Sequence, residues 1–93
     1  MKAQTISLSG RRKKKLEKQV EKYLDALQQN SDDHKLRTNL GDTYALLEDV
    51  KKSVKSYYSA VDLLRKAPNI GKVRSHIIEL YEKIINVAPD DPR

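Results

Sequence analysis

Apolar residues recur at intervals of three and four along most of this chain. Leu16, Val20, Tyr23, Leu24 and Leu27 form the first such set, and that spacing gathers them on one face of a helix. Asn30 to Asp33 interrupts it. Leu36, Leu40, Tyr44 and Leu47 form the second set, with Asp32 or Asp33 placed to cap its start. The third runs through Val50, Val54, Tyr57, Tyr58, Val61 and Leu64, with Asp49 as cap and Pro68 as stop. The fourth is Val73, Ile77, Leu80, Tyr81 and Ile84, capped by Asn69 and closed by Pro89. Connections of about two to five residues fold each helix back along its predecessor. The pattern predicts an all-α fold, a short array of antiparallel helical hairpins with about four helices.

The pattern also repeats. Val20, Tyr23 and Ala26 return 34 residues later as Val54, Tyr57 and Ala60, and Leu16 and Lys18 return as Val50 and Lys52. A second register, displaced by 37, carries Leu36, Arg37, Thr38, Leu40, Asp42, Tyr44, Leu47 and Val50 onto Val73, Arg74, Ser75, Ile77, Glu79, Tyr81, Ile84 and Val87. Three extra residues near Ala67 to Asn69 account for the difference. A period of this length is that of a helix–turn–helix repeat. One register makes the last helix the first of a new hairpin and the other makes it the second.

Leu40, Gly41 and Tyr44 on one helix, followed by Tyr57 and Ala60 on the next, resemble the signature of tetratricopeptide repeats. His34 to Ala67 is similar to one full repeat. Leu16 to Asp33 resembles the second helix of a preceding repeat, with Ser31 where that family usually has Pro, and Ile78 to Pro92 resembles the end of a following one. Ser53 stands in place of a small Ala, and Glu48 in place of the Gly that permits positive φ in the tight turn. The resemblance implies a right-handed solenoid fragment in which Gly41 and Ala60 allow close helix approach and Tyr44 and Tyr57 fill the space between hairpins. It also implies a groove for a partner peptide along the first helix of each hairpin, here Lys35, Thr38, Asn39 and Asp42. The Lys and Asn clamp by which some members hold a peptide carboxylate is not matched, and Asp42 would repel such an anion. A basic or neutral segment is the expected occupant.

Composition narrows the chemistry. With 93 residues the chain supports one core, burying roughly 60 to 65% of its unfolded surface. Residues 1–10 read as a flexible tail and residues 11–93 as the helical domain. Cysteine is absent, which removes disulfides, thiolate zinc sites and cysteine nucleophiles and fits a reducing cytoplasm. No apolar run has the length of a membrane span or of a secretory signal. His34 and His76 are the only histidines, with no nucleophile or ligand cluster beside them, and Gly71-Lys72 lacks the rest of a phosphate-binding loop. Neither a catalytic function nor a cofactor nor a metal is therefore expected.

Charge is the one lopsided feature. Met1 to Lys22 holds eight Lys or Arg against Glu17 and Glu21, the whole of the net +6, and the remaining residues balance to zero. Within that stretch Arg11, Arg12, Lys13, Lys14 and Lys15 form an unbroken run. It reads as a solvated helix start, as an anchor for nucleic acid or anionic lipid, or as a nuclear-import-like signal. The leading expectation is a cytoplasmic, non-catalytic scaffold or adaptor that binds another protein or peptide. Accessory binding of nucleic acid or an anionic membrane through the basic end is the alternative, followed by a structural solenoid fragment that associates with itself.

Overall fold

The computed structural model describes residues 10–90 and consists there of four helices without strands. The expected tail, apart from Gly10, lies outside the described residues, as do Asp91 and Pro92. Helix α1 spans Gly10–Gln29, α2 His34–Leu46, α3 Val50–Arg65 and α4 Ile70–Val87. Each helix packs chiefly on its successor in sequence. Leu27 of α1 lies near Arg37 and Leu40 of α2, while Val20 lies near Tyr44 and Leu47.

The helix ends follow from a few side chains. Asp33 caps α2, its carboxylate accepting from the amides of Lys35 at 2.9 Å and Leu36 at 3.1 Å. Asp49 caps α3 through the Lys52 amide at 3.2 Å. Asn69 occupies the corresponding position before α4 but its side chain makes no capping bond. Its backbone carbonyl instead accepts from the Lys72 amide at 3.0 Å. Helix α3 ends at Arg65, ahead of Pro68, in a tight turn closed by Lys66 N–H to Leu63 O and Ala67 N–H to Leu64 O.

Between α2 and α3 the chain turns in three residues, Leu47 to Asp49. The Asp49 amide reaches back to Tyr44 O and the Glu48 amide to Ala45 O, both at 2.9 Å. This paired bonding satisfies carbonyls that the end of α2 leaves open, and it requires a left-handed residue between them. That residue is Glu48, with φ of 62°. Asp49 thus closes one helix with its amide and opens the next with its carboxylate.

The main core joins α3 and α4 through Tyr57, Ala60, Val61, Leu64, Leu80 and Ile84. Leu16, Val20 and Leu40 are buried as well, and α1 meets α2 in a smaller contact. Leu24, Val50 and Tyr81 of the apolar pattern remain exposed, as do Ile78 and Ile85; α1 and α4 each have one principal packing neighbour.

At the crossing of α2 and α3, the Tyr57 ring lies against Gly41. A Cβ at Gly41 would fall 2.6 Å from Tyr57 Cε1 and 2.7 Å from Cδ1. The ring is 2% exposed and cannot retreat. Ser53, fully buried one turn before Tyr57, donates from Oγ to Gly41 O at 2.8 Å. The residue that departs from the small-Ala pattern therefore serves as a polar clasp across the same crossing.

Two stability measurements follow. Ala is favoured over Gly within a helix by about 0.5 to 1 kcal/mol, yet Gly41→Ala is expected to lower stability by about 1 kcal/mol or more, and Gly41→Leu by at least about 2, because overpacking outweighs propensity. Gly71, whose Cβ would meet nothing nearer than 3.9 Å, should gain from the same Ala change. Urea unfolding of the three variants checks the opposite signs, and a stabilised Gly41→Ala would remove the close crossing. Glu48→Gly should stabilise by about 0.5 to 1 kcal/mol by relieving the left-handed backbone. An unchanged or lower melting temperature would show that the Glu48 side chain offsets its own strain.

Candidate functional site

A cleft of about 180 Å³ opens between α2 and α4. Helix α2 contributes His34, Lys35, Thr38 and Asn39, one turn and a half of a single face. Helix α4 contributes His76, Glu79, Leu80 and Lys83, and Leu64 of α3 rises between them as an apolar floor. Three of the four residues singled out in the sequence, Lys35, Thr38 and Asn39, are thus brought together along one wall. Thr38 donates its hydroxyl to His34 O at 2.9 Å, leaving its lone pairs to accept. Lys35 and Asn39 are exposed. At one end the rings of His34 and His76 approach to 6.0 Å between centroids, inclined by 51°.

Asp42, the fourth candidate, stands outside the lining and is engaged within the fold. Its Oδ1 accepts from the Tyr57 hydroxyl at 2.5 Å and from Lys83 Nζ at 3.0 Å, joining α2, α3 and α4. Lys83 also sits 5.9 Å from the centre of the Tyr57 ring. The carboxylate that was expected to repel an anionic peptide is therefore balanced by an ammonium at contact distance. Both partners of the ion pair keep about two fifths of their side-chain surface in water, so it contributes only a fraction of a kcal/mol to stability. The Tyr57 hydrogen bond, shielded by a buried ring, contributes more, about 1 to 2 kcal/mol.

Tyr57 holds its proton well above the usual tyrosine range. Burial of the phenol is the largest cause, followed by the hydrogen bond to Asp42 and by the negative charge of that carboxylate, with the Ser53 hydroxyl acting weakly the other way.

The sequence reading missed the α4 wall. Displacing Asn39 by 37 residues gives His76, also in the lining, whereas the same step takes Lys35 and Thr38 to Lys72 and Ser75 outside it, so the internal repeat carried the signal only in part. Leu64, Leu80 and Lys83 have no such mark. The basic run lies elsewhere: Arg11 to Lys15 are all exposed at the start of α1, where no acidic side chain occupies the first turn. Lys13 borders a second depression, between α1 and the ends of α2 and α3, with Glu17, Glu21, Tyr44 and Lys52.

Among the described residues no three His, Asp or Glu side chains converge as a metal would require, and no helix is long and apolar enough to cross a membrane. No protein family, curated protein or solved structure was found to match the chain.

Because Tyr57 is raised in the folded state, its contribution to stability is complete below about pH 10, where the unfolded phenol begins to ionise, and is lost as pH climbs toward the folded value. The parent should therefore lose stability above pH 10 more steeply than Tyr57→Phe. That variant should itself be about 1 kcal/mol less stable at pH 7. Urea unfolding at pH 7, 10 and 11 measures both, and equal alkaline slopes would assign the loss to other groups.

Proposed function

We propose that this chain is a non-catalytic protein-interaction module, tetratricopeptide-repeat-like in its hairpins, which takes an extended segment of a partner protein into the cleft between α2 and α4. The observation that carries this reading is the convergence of Lys35, Thr38 and Asn39 on one wall of an apolar-floored cleft. Three of the four residues named for their place in a repeat line this cleft, which supports the reading. The Asn39 carboxamide has the donor and acceptor pair that matches one peptide unit, and Lys35 beside it favours a nearby carboxylate. Leu64 and Leu80 give room for one small apolar side chain between them. With Asp42 neutralised by Lys83, the expectation of a basic or neutral segment gives way to a neutral or weakly acidic one. Absence of cysteine suits a cytoplasmic setting.

The five exposed cations at the start of α1 support a second reading, an electrostatic contact with nucleic acid or an anionic surface. Their loss should leave folding nearly intact, since exposed charges each contribute little.

Peptides selected from a displayed random library on the intact chain provide the test. Titrated into isotope-labelled protein, they should shift amides of His34 to Asn39 and of His76 to Lys83. Affinity should fall about tenfold in Asn39→Ala, the equivalent of about 1.4 kcal/mol, and be abolished in Thr38→Arg, whose side chain fills the cleft. Selected peptides that bind Thr38→Arg as well as the parent would reject the cleft. Binding that shifts only the start of α1 and collapses between about 50 and 300 mM salt would transfer the function to the basic run.

A further inference from the structure

Helix α4 presents three faces. Val73, Ile77, Leu80 and Ile84 pack toward α3, and His76, Glu79 and Lys83 line the cleft. The third face, turned away from α2, carries Ile78, Tyr81 and Ile85, which are 50, 37 and 61% exposed. They recur at three- and four-residue spacing and form one stripe down the helix. The 37-residue displacement that relates α2 to α4 carries Gly41 onto Ile78 and Tyr44 onto Tyr81. In α2 that position is covered: Tyr57 of α3 lies on Gly41 at contact distance. In α4 the cover is partial: Tyr58 of α3 meets the Tyr81 ring edge-on, with centroids 6.4 Å apart, while Ile78, a large aliphatic in the place of Gly41, and Ile85 stay half exposed or more.

Charge on the same stripe identifies the occupant. Arg74 lies four residues before Ile78 and Glu82 four residues after it, both exposed and both on the face that Ile78 occupies. Two α4 helices laid antiparallel about a two-fold axis at Ile78 bring each Arg74 opposite Glu82 of the other copy, with Tyr81 over Ser75 and Ile85 over Gly71. A parallel arrangement would set like charges together. The stripe is self-complementary in shape and sign only when it meets itself in the opposite direction, as an isologous two-fold contact requires. We propose that this face of α4 is a homodimer surface, occupied by α4 of a second copy.

A stripe of three apolar side chains buries less than the roughly 800 Å² per partner of a standard interface, so association is expected in the range of about 10 µM to 1 mM. Sedimentation equilibrium of the full chain across that range should give a mass rising from one copy toward two. Ile78→Glu together with Ile85→Glu should remain at the monomer mass with unchanged helix content, since both side chains are half exposed or more in the single chain. Arg74→Glu alone and Glu82→Arg alone should each weaken association at least about fivefold, the cost of opposing like charges, while Arg74→Glu with Glu82→Arg should restore it. Only exposed charges change in this second set, so it reads the contact even if the double Glu variant unfolds. A parent that stays monomeric at about 1 mM, masses beyond two copies, or a charge-reversed double variant that fails to recover would each overturn the proposal.

Discussion

The contact of Tyr57 with Gly41 is the constraint on which the other parts of this chain depend. A ring lying on a helix backbone sets how near α2 and α3 stand, and the phenol at its far end then reaches Asp42. Through Asp42 the same contact extends to Lys83 of α4, a helix held in place chiefly by Leu80 and Ile84 packing on Ala60, Val61 and Leu64 of α3. The approach of α2 to α3 is thus set by one aromatic side chain and the absence of one Cβ. Packing on this scale responds to single methyl groups, since interiors are filled nearly as tightly as crystals.

Polar groups share the work of the interior. Thr43 and Ser53 are buried, and each donates its hydroxyl to a backbone carbonyl, Asn39 O and Gly41 O respectively. No buried side-chain nitrogen or oxygen among the described residues lacks a partner. With Tyr as its only aromatic residue, this core combines apolar contact with hydrogen bonds that define one arrangement, as satisfied buried networks do.

Much of this was readable in the amino-acid sequence because helices impose a short period on it. Position before an apolar run narrows the α2 cap to Asp32 or Asp33 and points to Asp49 for α3, and Asp33 and Asp49 are the residues that cap. Gly41 was marked as a close crossing and Glu48 as a turn residue out of keeping with its backbone, and both are. What depended on a third helix was not readable. Asp42 looks like a free groove residue in its own helix, yet its partners come from 15 and 41 residues away. Tyr81 belongs to the apolar pattern of α4 but rests at the edge of Tyr58, with ring centres 6.4 Å apart, because periodicity reports which face is apolar and not how many neighbours arrive to cover it. The capping role of Asn69 failed for a similar reason, its backbone supplying the bond in place of the side chain.

The turn from Leu47 to Asp49 also bears on how the chain reaches its folded state. One residue, Asp49, completes α2 with its amide and begins α3 with its carboxylate, so the two helices meet with no slack between them. Such coupling favours the α2–α3 hairpin as the first unit to assemble, its contacts being close along the chain and its loop-closure entropy small. Helices α1 and α4, each resting mainly on one neighbour, would then add to its two sides. On unfolding they should open before the hairpin, so amide protons in the centre of α2 and α3 exchange last and those of α1 early. The amino-terminal cations sit on the helix that this order makes the most readily detached.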